Sequence, residues 1–330
     1  VLKQIDNINV NANLIGQSNN AARLWLRQGL VDYAGGVVIM AGNNINEANT
    51  GTLLVEGGTL NILNNSLTLG YINGNVAAGG KAVATLSGGL TQVKGVAFGG
   101  SNSTGSFVAS TTATLIVNGG TLAIGSGGIT KASVAMAGNN VILGGGVVKA
   151  LEDFSVDAAL PLTLFASGTF DTNGKVITVS GDLAGSGTFT KAGAGTLLLD
   201  AANNTYAGDA VVNAGTLQVS GTLTLDTLTF NLDGANSGLV GGGGSLSITN
   251  LVINTGAATG SGDWTLFDLT GLTLNEFTVS GWNNTSGKVW ELGDYSFDAM
   301  TGVLSVIPEP STWALLVIGG ALLAATRRRR

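Results

Sequence analysis

The sequence predicts an all-β fold: a parallel β-helix, or β-solenoid, closed by a small antiparallel β cap and followed by a short C-terminal transmembrane helix. Three observations predict it. Glycine supplies 53 of 330 residues against 3 prolines, short apolar-alternating stretches are punctuated by glycine and asparagine, and similar segments recur at fixed intervals. With 44% hydrophobic and only 10% charged residues, the chain is too apolar for generic disorder and must bury a core.

The repeats come first in the chain. From about Leu14 to Leu225 the glycine pairs Gly57-Gly58, Gly88-Gly89 and Gly119-Gly120 are spaced 31 residues apart, twice over. Further on, Gly168-Thr169-Phe170, Gly187-Thr188-Phe189 and the pair Gly195-Thr196-Leu197 and Gly215-Thr216-Leu217 recur at 19 or 20 residues. A period of ~20 residues reads as one coil of a stacked solenoid, and 31 as a coil carrying a loop. Residues 73–83 and 100–113 are the loop candidates. About ten coils stacked ~4.8 Å apart make a rod of about 50 Å, with Val, Ile and Leu inward and glycine at corners that need φ > 0, Gly119 among them.

After Gly221-Thr222-Leu223 the glycine-threonine beat fades and longer strands follow, over residues 228–232, 246–253, 264–269, 277–279, 289–292 and 303–306. Trp264, Trp282 and Trp290 lie here. An open strand edge recruits other chains, and this region reads as the antiparallel cover for the end of the rod. Gly241 to Gly244 reads as a hairpin loop. The predicted units are therefore a solenoid over 1–225, a cap over 226–305 and a tail over 306–330.

Composition removes most catalytic chemistries. There is no histidine and no cysteine, which excludes Ser-His-Asp and Cys-His catalysis, disulfides, and histidine or thiolate zinc sites. Residues 1–307 carry nineteen acids against ten bases, so nucleic-acid binding by the body is not expected. A glycosidase needs two carboxylates ~5–10 Å apart. Glu152, Asp153, Asp157, Asp171, Asp182, Asp200 and Asp209 are scattered along the sequence, and the body has only Arg23 and Arg27 to clamp an acidic sugar. No catalytic, cofactor or metal residues are expected. Trp25, Trp282 and Tyr206 are candidates for stacking on sugar rings, although such aromatics more often fill a core.

The tail reads VIPEPSTWALLVIGGALLAATRRRR from Val306 to Arg330. Pro308 and Pro310 end the preceding strand, and Pro310 with Ser311 and Thr312 suits a helix start. Ser311 to Thr326 carry no charge; as a helix they span roughly 24 Å, a marginal crossing of a ~30 Å bilayer core. Trp313 suits the membrane interface. Arg327, Arg328, Arg329 and Arg330 suit the cytoplasmic side, placing the body outside.

These residues resemble the PEP-CTERM sorting signal of Gram-negative bacteria: Pro308-Glu309-Pro310, a short hydrophobic helix over 312–325, then the arginine cluster. The resemblance implies export, transient retention in the inner membrane, processing near Pro308, Glu309 and Pro310 by an exosortase-type membrane protease, and association with bacteria that make exopolysaccharide. The chain begins Val1-Leu2-Lys3, with no initiator methionine and no apolar signal core, so further residues are expected upstream of it.

A second resemblance covers residues 185–217, from Gly185-Ser186-Gly187-Thr188-Phe189-Thr190-Lys191 through Gly195-Thr196-Leu197 and Asn203-Asn204-Thr205-Tyr206-Ala207-Gly208 to Gly215-Thr216-Leu217. This stretch resembles the autotransporter-associated β-strand repeat, or passenger-associated transport repeat, and implies a right-handed parallel β-helix of the kind found in secreted passenger domains. The outer-membrane barrel that translocates such passengers is absent from this sequence. The expected function is that of an exported cell-surface or extracellular-matrix structural or adhesin-like protein without enzymatic activity. The alternative is a polysaccharide-active enzyme or carbohydrate-binding module on the same scaffold, with exopolysaccharide or another surface polymer as partner.

Overall fold

Alternation decides the architecture. In Thr196–Leu199 and Asp209–Val212, as in most short strands of the body, half-exposed and buried residues strictly alternate, so one face of every strand must be covered by its neighbours. The computed structural model describes residues 7–10, 13–15, 22–42, 50–72, 80–100, 111–132, 136, 138–234, 238–258 and 262–307. They are all-β, with no helix among the described residues. The main sheet is built from parallel pairs and a second, five-stranded sheet is antiparallel.

Each coil contributes three strands. Gly138–Leu143, Val147–Ala150 and Phe154–Val156 form one coil; Leu162–Leu164, Gly168–Asp171 and Val176–Val179 form the next and pair with it in the same order. Three stacks of parallel strands result, one along each side of a solenoid. In the first stack Leu24, Leu53, Ala84, Leu115, Val141, Leu162 and Leu183 face one another in register. In the third, Leu67, Val96, Ile129, Val156, Val179, Leu199 and Val219 do so. All of these are buried.

The second stack carries the longest inward column, running from Val31 through Leu60, Thr91, Leu122, Val148, Phe170, Lys191, Val212 and Phe230 to Ile253. Two members are polar. Thr91 is 1% exposed and its hydroxyl has no hydrogen-bond partner, while Lys191 is fully buried.

The 31-residue beat is the coil itself. Leu60 lies opposite Thr91 and Thr91 opposite Leu122; Gly57-Gly58 is a corner between Thr50–Val55 and Thr59–Ile72, and the other two glycine pairs are corners inside the long strands Lys81–Phe98 and Thr112–Lys131. The division of labour within each pair differs from expectation. Gly58, Gly89 and Gly120 hold the positive φ of 71°, 69° and 64°. Gly119 does not; a Cβ there would lie 2.5 Å from the Ser87 carbonyl oxygen of the coil below, so close approach of backbones is what requires glycine. Of the loop candidates, Lys81 to Val83 and Thr112 to Ala113 are strand, because they pair with each other and with Thr50–Val55; residues 73–79 and 101–110 lie outside the described set.

The parallel region extends further than the fading glycine-threonine beat implied. Thr222–Gly234 pairs in parallel with Ser245–Ala258, which in turn pairs in parallel with Thr273–Leu274 and Thr278–Val279. Residues 228–232, 246–253 and 277–279, expected in the antiparallel cap, therefore continue the solenoid. The inward column supplies the reason: Phe230 stacks on Val212 and Ile253 on Phe230, as larger apolar residues do in earlier coils. Gly241 to Gly244 is correspondingly a corner between Gly238–Gly241 and Ser245–Ala258, not a hairpin.

The antiparallel sheet comprises Asp263–Thr265, Asn283–Asn284, Val289–Leu292, Tyr295–Asp298 and Val303–Val306. It closes the rod with aromatic rings. Phe267 meets Phe230 of the solenoid edge-on at 5.4 Å between centroids, and Phe277 stacks on Trp290 at 5.6 Å. Backbone bonds knit the join, with Val240 N donating to Leu266 O at 2.9 Å and Asp268 N to Val240 O at 2.9 Å.

Candidate functional site

The sorting residues predicted from sequence, Pro308, Glu309, Pro310, Trp313 and Arg327 to Arg330, lie outside the described residues, as does the tail helix. The strand Val303–Val306 leads to them, and Ile307 N donates to Asp294 O at its end.

Five of the seven carboxylates singled out as catalytic candidates serve as ion-pair partners or turn anchors. Asp171 pairs with Lys149 at 3.2 Å and accepts from Asn173 N. Glu152 meets Lys175 at 3.7 Å, Asp153 accepts from Val176 N at 2.9 Å, Asp157 from Ala159 N at 2.8 Å and Asp209 from Thr227 N at 2.9 Å. Asp182 and Asp200 are exposed. Among the described residues no three acidic side chains gather to hold a metal ion.

Residues 188–215 form a densely bonded polar site. The strand Thr188–Ala192 alternates, so the parity that buries Phe189 also buries Lys191. Its ammonium has three protons and four oxygens in reach. The Thr172 hydroxyl lies 3.0 Å away in the preceding coil, the Ala192 and Gly193 carbonyls at 3.0 and 2.7 Å in its own, and the Ala214 carbonyl at 2.8 Å in the next. Thr172, also buried, donates a hydrogen bond from its hydroxyl to Ala192 O at 3.0 Å. Burial lowers the Lys191 pKa to about 8, partly countered by the carboxylate of Asp171.

Tyr206 completes the corner. Expected either on a sugar or in the core, it is 1% exposed and tilts against Phe189 at 5.5 Å. Its hydroxyl faces the carbonyls of Gly187 and Asp209, and burial raises its pKa above the ordinary tyrosine value. Both Lys191 and Tyr206 are buried. This chemistry ties successive coils together and offers no reacting surface.

A groove of about 570 Å³ opens where the last coil meets the cap, lined by Phe277, Trp282, Trp290, Asn275, Asn284, Glu276 and Lys288 among others. Its polar groups are mostly engaged. Asn275 accepts from Ile248 N at 2.9 Å and donates to Ile248 O and Glu276 O; Asn284 accepts from Gly287 N at 2.6 Å; Lys288 donates to Glu276 at 2.9 Å, holding that carboxyl below its usual range. Trp282 and Trp290 are buried at 9% and 6% exposure. Trp25 stands apart in the first stack, half-buried under the guanidinium of Arg27 at 5.2 Å.

The outward side of the second stack is organised differently. One column is made of threonine and aliphatic residues, Leu90, Thr121, Val147, Thr169, Thr190, Val211, Thr229 and Val252, all half-exposed. Two residues along lies a polar ladder in separate runs, broken at Ala123 and again at Ala192. Asn61 Nδ2 donates to Asp32 at 2.5 Å and Gln92 Nε2 to Asn61 at 2.9 Å. Past the Lys149–Asp171 pair, Asn231 Nδ2 donates to Asn213 at 2.8 Å and Asn254 Nδ2 to Asn231 at 2.6 Å.

Comparison with known proteins accords with these features. Residues 189–219 match the passenger-associated-transport-repeat family, and residues 306–330 match the PEP-CTERM protein-sorting motif. Over 119 residues the chain is 33% identical to the adhesin BmaC autotransporter of Brucella suis biovar 1 (strain 1330). That alignment covers 36% of this chain and 3% of the relative's length. No solved structure matches the chain.

Proposed function

We propose that this chain is an exported bacterial surface protein whose solenoid serves as a structural or adhesive rod rather than as an enzyme. The observation that carries the proposal is the pairing, in one chain, of a stacked parallel body with a C-terminal sorting motif. A short solenoid can bury a core with apolar columns alone, but its display outside the cell needs an address, and the tail is read as that address. The likeness to an autotransporter adhesin supports the adhesive reading.

On this reading the chain divides into a right-handed solenoid, an antiparallel cap and the tail from 306, which is held transiently in the inner membrane. An exosortase-type protease engages Pro308, Glu309 and Pro310, where two prolines keep the junction extended and free of sheet pairing. Arg327 to Arg330 hold the helix end on the cytoplasmic side. The enzyme alternative draws little support from carboxylates that serve as ion-pair partners and turn anchors.

The test is fractionation of an exosortase-bearing host after protease treatment of intact cells. The wild-type chain should be cleaved from outside, whereas the Pro308→Ala, Glu309→Ala, Pro310→Ala triple variant should remain in the inner-membrane fraction. Cytoplasmic wild-type protein, shielded from the protease in an exporting host, would refute surface display.

A further inference from the structure

We propose that the cap controls release of the tail: a protease gains the processing site at Pro308, Glu309 and Pro310 only when the end of the strand Val303–Val306 frays from its neighbour. This rests on the sorting reading above and adds how the fold regulates that site. Three observations carry it. Val303–Val306 is an inner strand of the antiparallel sheet, paired with Asp263–Thr265 on one side and with Tyr295–Asp298 on the other. Its pairing runs right up to the motif. Val306 lies opposite Tyr295 and Ile307 N donates to Asp294 O, so no unpaired residue separates the sheet from Pro308. Its hold is also graded along the strand. Leu304 is fully buried opposite the equally buried Phe297, whereas Val306 and Ile307 are half-exposed and Val306 rests against the margin of the core.

A protease takes its substrate as an extended segment whose backbone groups are free on both sides of the cut. On the upstream side those groups belong to Val306 and Ile307, and the sheet has already spent them. A frayed end opens at little cost, while opening that reached Leu304 would expose the core. Val306 and the Ile307 amide are therefore the brake. When opening and closing outpace cleavage, the rate of cutting follows the open fraction, so a chain whose cap is still unfolded is cut freely and a folded one slowly.

The test is a pulse-chase in an exosortase-bearing host, reading the rate at which the full chain loses its tail. Inserting Gly-Ser-Gly-Ser between Ile307 and Pro308 moves the motif about 13 Å clear of the sheet and should speed loss several-fold. The converse variant is Tyr295→Cys with Val306→Cys. These residues flank the bonded Asp294 and Ile307 as a non-hydrogen-bonded pair, whose close side chains suit a disulfide; the chain has no other cysteine, and the exported side is oxidising. The locked variant should lose its tail several-fold more slowly than either single-cysteine variant, and a reductant should restore the rate. Should slowing persist in reductant, the cap is misfolded and the spacer variant alone decides. Equal rates for the spacer variant and the wild type would overturn the proposal. So would a faster spacer variant beside a locked variant that is not slowed, which would assign the effect to crowding by the folded body instead of fraying. Tail loss in neither the wild type nor the spacer variant would overturn the sorting reading itself, and this control with it.

Discussion

The ammonium of Lys191 lies 3.0 Å from the hydroxyl of Thr172 in the preceding coil, inside a column otherwise filled by residues such as Phe170 and Val212. The same nitrogen reaches Ala214 O in the following coil. One side chain thus spans three coils at a corner where carbonyls turn inward, and without it those carbonyls would be buried with fewer donors. Lys191→Met keeps the stem and removes the donors. It should destabilise the body by about 3 kcal/mol at pH 7, because it leaves several polar groups unpaired at once, and chemical denaturation would measure it.

The same lysine gives a pH signature. Its folded pKa, about 8, lies below the ordinary ~10.4 of an unfolded lysine, so between those values the unfolded chain binds more protons and stability rises with pH. Relative to Lys191→Met, the wild type should gain about 2 kcal/mol between pH 7 and pH 10. Tyr206 acts in the opposite sense: its folded pKa is raised, so its contribution is lost above about pH 10. Thermal melts of both proteins at pH 7, 8, 9 and 10 check the slope, and parallel curves would show that Lys191 is not the titrating group.

Tyr206→Phe should keep the contact with Phe189 and lose the bonds to Gly187 and Asp209. A buried, hydrogen-bonded hydroxyl of this kind contributes about 1–2 kcal/mol. Denaturation midpoints at constant slope would report it, while a change in slope would signal a looser body instead.

Thr91 predicts a gain. Its hydroxyl is buried without a partner between Leu60 and Leu122, so Thr91→Val exchanges an unsatisfied oxygen for a methyl of similar volume. The variant should be more stable by about 1 kcal/mol, visible as a raised melting temperature.

The corner glycines separate two causes. Gly119 is constrained by the Ser87 carbonyl alone, and Gly174 by its φ of 77° alone, with open space where a Cβ would stand. Gly120 has both constraints and Gly243 neither. Alanine at each should lower the melting temperature in the order Gly120 most, Gly119 and Gly174 less, Gly243 least; positive φ alone costs a side chain about 1 kcal/mol. A Gly243 variant as damaged as Gly120 would contradict the corner assignments.

How much of this was legible follows from what each signal encodes. The glycine pairs at 57, 88 and 119 revealed the coil length because corners recur once per coil. The end of the solenoid was misjudged because no glycine-threonine corner follows Gly221-Thr222, and parallel pairing leaves no mark on one strand read alone. The burial of Lys191 was written in the alternation Thr188-Phe189-Thr190-Lys191, where period 2 places lysine with phenylalanine. A charged residue at an inward position reads as an error of register until its four oxygens are seen. The polar ladder was invisible for another reason: Asn213, Asn231 and Asn254 are far apart in sequence and meet only through coil stacking.

The central claim, that this rod is delivered to the cell surface by processing at its tail, is tested most directly by intact-mass measurement of the protein recovered from the surface and medium of an exosortase-bearing host. The account predicts a species that ends near Pro308, Glu309 and Pro310 and lacks the apolar segment and Arg327 to Arg330. Recovery solely of a chain still ending at Arg330 would contradict it and leave a permanent membrane anchor in its place.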